Sequence, residues 1–170
     1  MNIKVSVYIV YLCVVLLGMT QSSCYSLKGT SIDPSIKTFY VQDFDLADLN
    51  APGDVNQRFA ELLRSKIRNR TRLVYNEYEP DIEYAGSISN YIIKQESTDG
   101  NNTTPFSKLE ISVKVKLTSN QENVQGWDSV FTFFKVYDNT MDLSSIQDDL
   151  INEILNQLTE DVFDKSFTDW

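Results

Sequence analysis

The chain has 170 residues, 42% of them hydrophobic and 12% aromatic, which is enough for one domain with its own core. It carries 24 Asp+Glu against 15 Lys+Arg, a formal net charge of -9, and no histidine. That balance argues against nucleic acid as a partner, because phosphate backbones are held by basic surfaces, and it removes the commonest general base and metal ligand.

The first element reads as a leader. Val5 to Met19 is almost wholly apolar, follows a single Lys4 and stops at Thr20-Gln21-Ser22-Ser23-Cys24. It is shorter than the roughly 18 residues a bilayer core requires. A weakly positive start, an apolar middle and a small-residue end describe a secretory signal peptide over residues 1–23. Removing it takes away Lys4 and Cys13 and leaves Cys24 as the one cysteine. An exported chain with one cysteine cannot close an internal disulfide. Ser22-Ser23-Cys24 resembles a bacterial lipobox, in which the cysteine becomes the acylated first residue; Gln21 stands where an aliphatic residue is usual. The alternative is an ordinary cleavage near Ser22 that leaves a free thiol. Acylation by three chains would anchor the protein stably, since each buried methylene contributes about 0.8 kcal/mol. Residues 24–37, with Gly29, Pro34 and several Ser and Thr, then read as lipidated Cys24 and an extended tether.

Residues 38–170 read as one domain. Thr38–Phe44 is rich in β-formers and predicts a first strand, and Asn50-Ala51-Pro52-Gly53 is a loop. Asp54 with Gln57 makes a capping-box pattern at the start of a helix whose stripe is Val55, Phe59, Leu62, Leu63 and Ile67. Arg64, Lys66, Arg68 and Arg70 crowd its C-terminal end. They complement the macrodipole, at about 0.3–1 kcal/mol each, or face an anionic ligand. Leu73–Tyr78 predicts a second strand and Glu79-Pro80-Asp81 a turn. In the third strand Ile82, Tyr84, Gly86 and Ile88 share a face; the phase slips near Ser89-Asn90, and Tyr91 and Ile93 take over. One extra residue turns the side chains over, so a bulge is expected there. Residues 95–106 form a polar hairpin loop, in which Asn101 and Asn102 match the N-glycosylation pattern of eukaryotic secretion.

The fourth strand alternates most cleanly: Leu109, Ile111, Val113, Val115 and Leu117 against Glu110, Ser112, Lys114, Lys116 and Thr118. The fifth, Trp127–Asp138, is apolar on both sides, with Phe131 and Phe133 on one and Val130, Phe134 and Val136 on the other. Such a strand is either covered twice within the domain or covered once by something else. Asp142 caps a last helix with the stripe Leu143, Ile146, Leu150, Ile154, Leu158 and Val162, widened by Ile151 and Leu155. Phe163, Phe167 and Trp170 carry the stripe to the chain end, which predicts a docked C-terminus. The expected fold is α+β: a two-layer sandwich with two amphipathic helices on one face of a small, mostly antiparallel sheet.

No Gly-rich phosphate loop, nucleophile elbow or zinc spacing occurs in the sequence. Asp43, Asp45 and Asp48 are the one carboxylate cluster with a hint of metal geometry, and they lack the glycine and closing glutamate of a calcium loop. The chain reads as a non-enzyme without metal or cofactor.

The segments CYSLKGTSIDPSIKTFYVQDF, APGDVNQRFAELLRSKIRNRTRL, DIEYAGSISNY and LINEILNQLTEDVFDKSFTDW together resemble the LptE family, outer-membrane lipoproteins of lipopolysaccharide assembly. The resemblance implies a lipoprotein that plugs the β-barrel partner LptD and assists insertion of lipopolysaccharide. It also implies a fold of two helices on a small sheet. A barrel wall would cover the two-sided strand, with Phe131 and Phe133 as barrel-facing residues. Lys114 and Lys116, on the outward side of the clearest strand, become candidates for lipopolysaccharide phosphate. Tyr25-Ser26-Leu27-Lys28 contains no acidic export tag, so the resemblance places the protein on the periplasmic side of the outer membrane. The competing expectations are a lipid-anchored binding module for a small ligand or soluble envelope protein, and a metal-dependent hydrolase built on the aspartate cluster.

Overall fold

Two periodicities organise the chain, alternation across strands and a three-to-four-residue stripe along helices. The computed structural model describes residues 32–96 and 106–168. The order is β1 (Thr38–Val41), β2 (Asp45–Leu46), α1 (Val55–Arg70), β3 (Val74–Tyr75), β4 (Ile82–Glu96), β5 (Phe106–Ser119), β6 (Trp127–Asp138) and α2 (Leu143–Phe167). The expected leader, Cys24 with the first part of the tether, Asn101, Asn102 and Trp170 lie outside the described residues.

The expected first strand, Thr38–Phe44, ends at Val41, and a separate short strand follows Phe44. Phe39 and Val41 of β1 pair with Ile82 and Tyr84, and β2 resumes with Leu46 opposite Ile88. Between them the Gln42 N–H still donates to the Tyr84 carbonyl at 2.8 Å. Phe44 turns inward, is 2% exposed, and sets its ring edge-on to Phe59 with centroids 5.0 Å apart. Gly86 makes room for it: a Cβ there would lie 2.7 Å from the Phe44 ring and 2.0 Å from the Lys114 carbonyl oxygen. The second expected strand shortens to β3.

The sheet order is β3-β1-β4-β5-β6, with β2 also beside β4. β1 runs parallel to β3 and β4, and β2 runs parallel to β4. Parallel neighbours need a crossover, which α1 supplies between β2 and β3. β4, β5 and β6 form a long antiparallel meander, so most of the sheet is antiparallel with a short parallel margin. The expected bulge is present, since the β4–β5 register steps between Ile88 and Asn90. Asp48 secures it by accepting the Tyr91 N–H at 2.7 Å. Tyr91 is buried, whereas Ile93 is 45% exposed. Among the described residues no strand flanks β4 on its outer side beyond Ile88, so Ile93 lies near an edge.

Both helices lie on one face. Val55, Phe59, Leu63 and Ile67 of α1 and Ile151, Ile154, Leu155, Leu158 and Val162 of α2 share one cluster with the inward residues of β4 and β5. Each fully buried side chain of this kind contributes about 1.5–3 kcal/mol. Leu62, Leu143, Ile146 and Leu150 are only half-buried. Asp142 caps α2 as expected, accepting the Ser144 N–H at 3.1 Å. The capping box on α1 does not form: Asp54 makes no side-chain cap bond and its carboxylate lies 3.5 Å from Arg58 instead. Phe163 and Phe167 are 2% and 1% exposed, so the end of α2 is docked. No helix among the described residues is long and apolar enough to cross a membrane.

Candidate functional site

With both helices on one side, no element among the described residues covers the other face of β4, β5 and β6. The register builds rows across it: Ser87–Lys114–Val130, Ala85–Lys116–Asp128, Ile92–Glu110–Phe134 and Lys94–Lys108–Val136. Lys114 and Lys116 are exposed here, as the alternation predicts. Val130, Phe134 and Val136 are 61%, 48% and 54% exposed and form an apolar band along β6. Lys114 lies 3.5 Å from Asp128, an exposed pair that contributes little to stability. Lys108 pairs with Glu110 at 3.2 Å and sits 4.9 Å above the Phe134 ring. The Lys108–Phe134 contact went unnoticed in the sequence, although alternation places both residues outward. At the centre the Ser112 and Thr132 hydroxyls meet at 2.8 Å. The face therefore sets an apolar band beside a row of ammonium groups, a pattern suited to an apolar wall or an amphiphile with anionic groups.

Phe131 and Phe133 are not on this face. Both turn to the helix side and are half-buried on the core cluster with Trp127 and Tyr137. Lys135, on the same side, reaches Glu153 of α2 at 2.7 Å. Trp127 lies edge-on to Phe131 at 5.8 Å and has the Lys165 ammonium 5.6 Å above its ring. A strand apolar on both sides does not reveal which side its own helices cover; α2 decides it, and the uncovered residues are Val130, Phe134 and Val136.

The basic end of α1 is drawn into helix packing. Lys66 donates to Glu160 of α2 at 2.5 Å, and Arg70 donates to the same carboxylate. The Lys66 hydrogen bond, opposed by burial and helped by Arg70, holds the Glu160 carboxyl below the usual range. Arg64 donates to the Val41 carbonyl at 3.0 Å and pairs with Glu61. Arg68 has no ion pair among the described residues.

The aspartate cluster does not converge. Asp43 lies 3.8 Å from Arg64, while Asp48 is occupied by the N–H groups of Asn50 and Tyr91, which hold its carboxyl below the usual range. Among the described residues no group of acids is placed to hold a metal ion. Asp81, expected in the turn Glu79-Pro80-Asp81, does more than turn the chain. Burial alone would raise its carboxyl; hydrogen bonds from the Lys37 and Thr38 N–H groups, the Thr38 hydroxyl and Gln121 lower it instead. It ties β1 to the start of β4.

Comparison with known proteins follows from this geometry. The family model described as LptE, lipopolysaccharide-assembly, matches residues 36–166. No curated protein matches. Among solved structures, a minor lipoprotein from Acinetobacter baumannii superposes with a TM-score of 0.50 at 11% identity, covering 75% of this chain and 89% of its own. A hypothetical protein from Chlamydia trachomatis gives 0.49 at 9% identity, with 76% and 97% covered. Rare lipoprotein B from Shewanella oneidensis gives 0.47 at 11%, with 75% and 92% covered. At such identities the likeness to the Acinetobacter protein is one of fold alone.

Proposed function

The chain belongs to the LptE family of lipopolysaccharide-assembly proteins, and from that premise we propose that it is a non-catalytic outer-membrane lipoprotein that plugs an LptD-like β-barrel. In this reading Cys24, acylated after removal of residues 1–23, moors the domain on the periplasmic side, and the residues after it are the tether; the expected tether stops short of residue 37, because Ile32 and Ile36 pack on the core and the Lys37 N–H donates to Asp81. The observation that carries the proposal is the open sheet face. Antiparallel sheets in water usually present a polar outer side, and a band such as Val130, Phe134 and Val136 calls for a cover. The wall of a barrel is such a cover. Lys114 and Lys116, beside that band, offer point charges to the phosphates of lipopolysaccharide during its insertion.

Detergent extraction followed by affinity purification tests this. The expected result is recovery of a much larger outer-membrane barrel protein in near-equal amount, and depletion of the chain should reduce surface lipopolysaccharide and admit large hydrophobic antibiotics. Recovery without a barrel, with surface lipopolysaccharide unchanged on depletion, would favour a lipid-anchored binding module instead.

A further inference from the structure

We propose that the free edge of β6 pairs with β6 of a second copy of the chain, in an antiparallel two-fold ladder centred on Thr132, whenever no other partner holds the domain. This goes beyond the plug reading and concerns the chain before it meets a barrel.

The two edges of the sheet are unlike. The side opposite β6 is broken into the two residues of β3 and the stretch of β4 beyond Ile88, where the bulge and the Asp48–Tyr91 hydrogen bond interrupt the ladder, so it offers no continuous edge to a second chain. β6 ends the other with twelve, contains no proline, and keeps an unbroken register against β5. Among the described residues, no hydrogen bond from outside the β5 ladder reaches the main chain of Ser129–Tyr137. Its one lysine, Lys135, does not guard the edge because Glu153 draws it to the helix side. An edge of this length left open is a template for another strand.

The occupant is read from the strand itself, which is close to a palindrome about Thr132. In an antiparallel two-fold pair, residues directly opposite each other face the same side of the sheet. Centred on Thr132, Phe131 meets the copy's Phe133, Val130 its Phe134 and Trp127 its Tyr137; Lys135 meets Ser129, and no like charges are opposed. Aromatic–aromatic and aromatic–β-branched opposites are the favourable cross-strand pairs. Asp128 meets Val136 near the ends of this ladder; moving the centre to Phe133 would set Asp128 against the copy's Asp138, and moving it to Phe131 would set Phe133 against Ser129 and Val130 against Thr132, losing the central apolar pairs. The chosen register also covers Phe131 and Phe133, whose rings a single copy leaves half-buried.

The test uses the chain from position 24 onward with Cys24 replaced by Ser, studied by light scattering and by oxidative cross-linking. The expected result is twice the monomer mass, with Thr132→Cys cross-linking to itself. Asp128→Cys and Val136→Cys should each fail alone and cross-link when mixed. A monomer at the highest soluble concentration overturns the proposal, as does a dimer that cross-links through another register. Cross-linking of Thr132→Cys in cells to a different envelope protein, with no self-adduct from the purified chain, likewise rejects the second copy as occupant.

Discussion

Replacing Gly86 by Ala probes the contact that seats Phe44. An ideal Cβ at Gly86 would stand 2.0 Å from the Lys114 carbonyl oxygen, 2.7 Å from Phe44 Cε1 and 3.0 Å from the Lys114 carbonyl carbon. Ordinary van der Waals contact begins at 3.4 Å, so the β5 backbone must retreat by more than an ångström and the Phe44 ring must shift as well. Overpacking a filled core costs about 1–3 kcal/mol, and a buried peptide group that loses its partner adds about 1–3 kcal/mol. The expected loss is therefore about 3 kcal/mol or more, a fall in Tm of roughly 6–12 °C for a domain of this size. Urea and thermal unfolding followed by circular dichroism would measure it. Phe44→Leu in the same background should recover only part of the loss, because the Lys114 carbonyl is backbone. A Tm shift within about 2 °C for Gly86→Ala would refute this packing of Phe44, Gly86 and Lys114.

Phe163→Ala should cost about 3–5 kcal/mol in the same assay, since the ring is buried and packs on Phe167 at 4.9 Å; a change below about 1 kcal/mol would show that the end of α2 is not docked. Glu160, Asp81 and Asp48 are all held below their ordinary values of 4.5, 3.8 and 3.8 in the folded chain. Their contribution to stability is therefore complete above those values and lost as pH falls through the lower folded ones. The urea midpoint should hold steady down to the ordinary carboxylate range and then drop, with a shallower drop in Glu160→Gln; a midpoint that rises on acidification would contradict the assignment. Intact mass of the native protein should give a chain that begins at Cys24 and carries acyl chains, and a free thiol at Cys24 would remove the proposed anchor.

The elements that sequence reasoning located well are those where one periodicity acts alone. β5 alternates without interruption, so its buried and exposed sides follow from the pleat, and the slip at Ser89 announces its own bulge. What escaped depends on contacts between distant segments. Thr38–Phe44 has the composition of one strand, yet it ends at Val41 and Phe44 turns in to meet Phe59 beside Gly86. Asp54 and Gln57 match a capping box, yet Arg58 competes for the carboxylate. The sequence of β6 is apolar on both sides, and the choice of covered side rests on where α2 packs, so the expectation that Phe131 and Phe133 face outward fails and Val130, Phe134 and Val136 are the exposed residues. The exposure of Lys114 and Lys116 follows from alternation because they belong to the uninterrupted strand.

The central claim is that the open sheet face meets the wall of a barrel. Site-specific photo-cross-linking from position Phe134 in living cells tests it most directly. The account predicts an adduct with a far larger outer-membrane protein, lost when Cys24→Ser prevents anchoring. Only self-adducts or no adducts from this position, in cells where the protein is correctly processed, would contradict it.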